Sequence, residues 1–113
     1  MGLVAATSAG AATTCLGGAV TFTKPDGEYY QPSSPTVYKT TSRCADINLR
    51  LNTGKSVKVC FYKSDYTLNY CQSNYTQVPW DNWTVVASDV NDGTLFRFRY
   101  LSDLSSTNAK AAF

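Results

Sequence analysis

The chain has 113 residues, with ten Lys or Arg against eight Asp or Glu, four cysteines and no histidine. That length is one domain, since single domains most often run about 100–150 residues. A formal charge of +2 is too small to call for a nucleic-acid or membrane partner, and no run of about 18 apolar residues is available to span a bilayer.

The first stretch, M-G-L-V-A-A-T-S-A-G-A-A-T-T-C, has small residues spaced like the end of a secretory signal. Ala9-Gly10-Ala11 fits an A-x-A cleavage site. No basic region precedes it, and Leu3–Ala6 is too short for a hydrophobic region. Residues 1–14 therefore read as a leader remnant or flexible N-terminal arm, and residues 15–102 as the folded domain.

Gly18–Thr23 alternates Val20 and Phe22 against Thr21 and Thr23, the mark of a half-buried strand. A free segment of this kind, Thr13–Thr23, can also pair with a partner's sheet edge. Lys24-Pro25-Asp26-Gly27 is a turn: proline sets one dihedral and glycine supplies a positive one. Pro32 and Pro35 then forbid a central strand, so this region reads as an extended surface connection with a short edge strand within Thr36–Thr41.

Two hairpins are expected next. In the first, Ile47, Leu49 and Leu51 point inward, Asn52-Thr53-Gly54-Lys55 turns, and Val57, Val59 and Phe61 return on the inner face. Lys58, Cys60 and Tyr62 are left outside. In the second, the run from Trp83 to Val90 turns at Asn91-Asp92-Gly93 and returns with Phe96, Phe98 and Tyr100 on one face and Arg97 and Arg99 on the other. The arginines send the aromatic face inward. Trp83, alternating with Val85 and Ala87, reads as core. Residues 103–113 are polar, then alanine-rich, and read as a tail without a strand pattern.

Short strands at this spacing predict an all-β fold, a small disulfide-stapled β-sandwich of immunoglobulin-like or jelly-roll size, with a closed small barrel as the alternative. Four cysteines without histidine, separated by 29, 16 and 11 positions, favour two disulfides over zinc, which needs closely spaced ligands. Of the three connectivities, Cys15–Cys44 and Cys60–Cys71 are expected, the second closing the two sides of one hairpin.

The catalytic repertoire is thin. Lack of histidine removes the usual general base, and oxidised cysteines remove thiolate chemistry. Asp89 and Asp92 flank a turn, where aspartate serves the backbone; together with Asn91 they offer oxygen ligands to calcium, but without the spacing of an EF-hand. No catalytic residue, metal or cofactor is expected, and the chain does not read as an enzyme. Aromatics are the positive feature. Tyr66, Tyr70 and Tyr75 lie in or beside the Cys60–Cys71 loop, and Trp80 follows Pro79 in a turn; these four are the candidate binding residues. Arg50, Lys58, Arg97 and Arg99 would form a basic stripe if the two hairpins were neighbours.

With A-A-T-S-A-G-A-A-T-T-C, R-C-A-D-I-N-L-R-L, V-K-V-C-F-Y and D-V-N-D-G-T-L-F-R-F-R-Y in view, the chain resembles the small secreted cystine-containing proteins of actinobacteria over roughly residues 15–102. The resemblance implies export and an all-β fold and carries no site residues. The expectation is a secreted, extracellular protein that recognises another extracellular protein as adaptor, assembly subunit or enzyme inhibitor. The alternative is a carbohydrate-binding module that stacks polysaccharide on Trp80, Tyr66 and Tyr70.

Overall fold

The computed structural model describes residues 14–113; the cleavage-site reading at Ala9-Gly10-Ala11 falls outside them. After a helical turn over residues 14–17 come ten strands: β1 (Val20–Lys24), β2 (Tyr30–Gln31), β3 (Tyr38–Lys39), β4 (Ile47–Leu51), β5 (Lys55–Tyr62), β6 (Leu68–Cys71), β7 (Thr76–Val78), β8 (Thr84–Ala87), β9 (Leu95–Tyr100) and β10 (Thr107–Ala112). They form two packed sheets, an all-β sandwich and not a closed barrel. The four-stranded sheet runs β1-β10-β4-β8; the six-stranded sheet runs β2-β9-β5-β6, with β3 also on β9 and β7 also on β5.

On β4, β5 and β9 the expected inward faces are the observed ones. Ile47, Leu49, Leu51, Val57, Val59, Phe96, Phe98 and Tyr100 are all buried between the sheets, and Phe61 packs partly against them. At one end Phe22, Tyr38, Phe96, Phe98 and Phe113 form an aromatic cluster with ring centroids 5.0–6.1 Å apart.

The expected partners differ. β4 pairs with β10 and β8, whereas β5 pairs with β9, β6 and β7. Asn52-Thr53-Gly54 therefore carries the chain from one sheet to the other, an arch and not a hairpin. β8 and β9 are likewise in different sheets, and Ser88–Thr94 bridges them; Gly93 (φ 78°) takes the left-handed conformation that glycine permits. An arch and a hairpin demand the same alternation, because in both the apolar faces end up in one core.

Three further corrections follow from the topology. Residues 107–112, expected as a strandless tail, are β10, paired on both sides by β1 and β4. Here the inward positions are filled by Thr107, Ala109 and Ala111, small side chains that carry little strand signal. β1 is paired with β10 from Val20 to Lys24 and is not a free arm; Thr13 lies outside the described residues. Trp83 is only half-buried and Val85 is exposed, while Val86 and Ala87 are buried. The reason is a register shift at Ile47/Asn48 on the neighbouring β4, which breaks the simple alternation of β8.

Both disulfides are those expected. Cys15–Cys44 ties the N-terminal helical turn to the segment leading into β4, and Cys60–Cys71 joins directly opposed residues of β5 and β6. Cys60, expected outside, is nevertheless buried.

Candidate functional site

β5 is the spine of the candidate site. Its far end makes the one tight hairpin of the Cys60–Cys71 stretch, closed by Lys63 N–H donating to Thr67 O (2.8 Å) and Tyr66 N–H donating to Lys63 O (2.8 Å). Asp65 braces the turn: its carboxylate accepts from the Thr67 hydroxyl (2.6 Å) and the Thr67 amide (3.0 Å). The Thr67 hydroxyl bond is the main cause holding the Asp65 carboxyl below its usual range. Tyr66 takes φ 70° at the tip.

This hairpin is where exposed hydrophobic side chains gather. Tyr66, Leu68 and Tyr70 are 58, 52 and 56% exposed. Tyr70 leans on Phe61, ring centroids 5.1 Å apart, above a hollow shared with Asn69, Ser88, Asp89 and Asn91. Tyr66 faces Pro35–Val37 across an open hollow. β6 ends the sheet, so among the described residues no strand pairs with its outer edge.

Between β6 and β7 the chain bulges off β5, and Gln72 fills the gap. The Gln72 amide donates to Val59 O (2.9 Å), and its side-chain oxygen accepts from the Val59 amide (2.8 Å). The side-chain Nε2 then donates across the sandwich to Val86 O (2.9 Å). One side chain thus substitutes for a strand residue and laces the two sheets together, a role that no sequence pattern around Cys71 announces.

The outer face of the six-stranded sheet carries cations laid on tyrosines. Register puts Tyr30, Arg99 and Lys58 level on β2, β9 and β5. Tyr75, preceding the Thr76 that opposes Val57, completes the row. Lys58 Nζ lies 4.7 Å from the Tyr75 ring centroid, and Arg99 Cζ 5.0 and 5.1 Å from Tyr29 and Tyr30. One step along, Arg97 Cζ is 4.7 Å from Tyr62, and its Nε donates to Thr36 O (2.8 Å). Burial raises the Tyr62 pKa, with Arg97 opposing the shift. Arg50 does not join this row. It lies on the other sheet and donates to Asp81 (3.0 Å).

The four candidate binding residues are therefore in separate places. Tyr66 and Tyr70 share the hairpin, and Tyr75 stacks with Lys58 on the sheet face. Trp80, 67% exposed, sits beside Leu51 near the opposite end of β5. Lys55 and Tyr62, which mark those two ends, are seven positions apart, or about 23 Å at about 3.3 Å per residue. Trp80 and the hairpin tyrosines cannot act as one flat platform. The Asp89–Gly93 residues are engaged by the arch itself. The Asp89 amide donates to Asp46 (3.1 Å), and Asn91 O accepts from the hydroxyls of Thr40 and Thr94 (both 2.7 Å). Among the described residues no group of three His, Cys, Asp or Glu side chains is placed to hold a metal ion, and no helix is long and apolar enough to cross a membrane.

The chain matches no protein-family model, no curated protein and no solved structure.

Proposed function

We propose that this is a secreted, non-catalytic binding protein that recognises another extracellular protein, as adaptor, assembly subunit or enzyme inhibitor. The observation that carries the reading is the concentration of Tyr66, Leu68 and Tyr70, each more than half exposed, on one cystine-held hairpin at an open sheet edge. Rigid aromatic side chains are the common anchors of protein interfaces, and an open edge accepts a partner strand. Two disulfides fit an extracellular setting.

The test is capture by the oxidised, tagged protein from the culture medium of its source organism. The expected result is one protein at near one-to-one ratio, lost from the Tyr66→Ala/Leu68→Ala variant while the melting temperature barely moves. An empty capture, or capture indifferent to the variant, would defeat the reading.

A second reading is favoured by Trp80, the most exposed aromatic ring, held near the polar groups of Asp81 and Asn82. In that reading the protein is a carbohydrate-binding module. Trp80→Ala then abolishes retention on an insoluble polysaccharide, and failure of the unmutated protein to bind chitin, cellulose or xylan ends the idea.

A further inference from the structure

We infer that the outer face of the six-stranded sheet docks an acidic segment of the partner protein, with Lys58 and Arg99 as its carboxylate-binding pair and the buried Arg97 adding positive charge behind them. The inference rests on the protein-partner reading above and names the chemistry of that partner.

Three observations carry it. First, these cations lack counter-ions. Among the described residues the ion pair is Arg50–Asp81, on the other sheet, and residues 1–13 contain no acidic side chain that could supply one. Second, the cations are held in place. Charges that merely keep a sheet wet are mobile and solvated, whereas Arg97 is only 8% exposed, clamped between the Tyr62 ring and Thr36 O. Lys58 and Arg99 are half-buried against Tyr75, Tyr29 and Tyr30. Their rotamer freedom is already lost, which lowers the cost of binding. Third, Lys58 and Arg99 stay partly exposed. Arg99 bonds the Tyr75 and Tyr30 hydroxyls and still keeps N–H donors of its five for a carboxylate, the geometric match for a guanidinium.

A protein segment fits better than an acidic glycan. Each ring on this face already carries a cation on one side, which makes it a poorer stacking platform for a sugar, while mixed tyrosine and arginine is the composition of protein interfaces. The face also runs into the hairpin: Thr36, which anchors Arg97, lies in the segment that Tyr66 faces.

The probe is a fluorescein-labelled peptide of alternating Glu and Gly, with its Gln counterpart as control, read by anisotropy. The Glu peptide should bind and the Gln peptide should not. Raising salt from low to several-fold physiological ionic strength should weaken binding roughly tenfold. Lys58→Gln/Arg99→Gln, both partly exposed positions, should weaken it by roughly tenfold or more with the melting temperature unchanged. Arg50→Gln, on the opposite face, should bind as the parent does. No binding of the Glu peptide overturns the inference. So does binding of polygalacturonate or heparin through Lys58 and Arg99 when the Glu peptide fails, which would give the face to an acidic glycan. The two readings fail separately. An empty capture from the medium defeats the protein partner whatever the peptide does, and a successful capture with an inert Glu peptide defeats only the acidic contact.

Discussion

Tyr100 is fully buried, and its hydroxyl has no hydrogen-bond partner among the described residues. An unpaired buried hydroxyl costs stability, so Tyr100→Phe should stabilise the fold by about 1 kcal/mol in urea unfolding at neutral pH. Burial also raises the Tyr100 pKa, with Tyr38 adding to the shift, and burial raises those of Tyr38 and Tyr62. A raised folded-state pKa means stability present below the ordinary tyrosine value of 10.0 and lost as pH climbs past it. Lys24 works in the opposite direction. Its ammonium is buried among the carbonyls of Pro25, Glu28 and Asp103, and burial lowers its pKa below 10.5. Its contribution therefore grows as pH rises through that lowered value toward 10.5. Three tyrosines against one lysine predict a net loss of stability above about pH 10, shallower in Tyr100→Phe. Parallel urea titrations of parent and variant across the alkaline range would check both signs.

Among single residues, what was legible was chemistry type more than place. The cysteine pairing could be read because Cys60 and Cys71 lie on opposite sides of one short turn. Tyr75 could not be placed, because its partner Lys58 is set by cross-strand register and not by sequence distance.

Strand faces were legible except on the bulged β8, and strand partners were not. Alternation states which side of Leu49 or Val59 is apolar; it does not state whether the next strand lies beside it or across the core. The turn signals at Asn52-Thr53-Gly54 and Asp92-Gly93 are real bends, but a bend serves an arch as well as a hairpin. β10 was missed for a different reason. Ala109, Ala111 and Ala112 have weak strand propensity and are held in the sheet by β1 and β4 on either side. Their small size fits: Ala111 is fully buried between those strands. Removing residues 107–113 would leave both flanking strands unpaired on an inner edge and strip Phe113 from Tyr38 and Phe96. The truncated chain should show no cooperative unfolding transition by circular dichroism, whereas removal of a true tail would leave the transition in place.

Taken whole, the molecule is two thin sheets with short strands, joined by arches, a side-chain lace at Gln72 and two covalent bonds. The disulfides close separations of 29 and 11 residues, so loss of Cys15–Cys44 should cost about 3.5 kcal/mol and loss of Cys60–Cys71 about 3 kcal/mol in the chain-entropy picture. Paired Cys→Ala variants compared by urea unfolding would measure each. Fold class and cross-links were legible in composition and cysteine spacing; the basic stripe was legible only on the condition that its strands adjoin, a condition set by β5 pairing with β9 far along the chain, which left Arg50 out of the row.

The place of β10 bears on how the protein is made. Among the described strands the ribosome makes β10 after all the others, yet β1 joins its sheet only through β10. Until residues 107–112 emerge, β4 and β8 can pair but β1 has no strand to join. Nascent chains should therefore stay open to proteases until synthesis has passed this strand, which pulsed proteolysis of ribosome-stalled chains of stepped length would show.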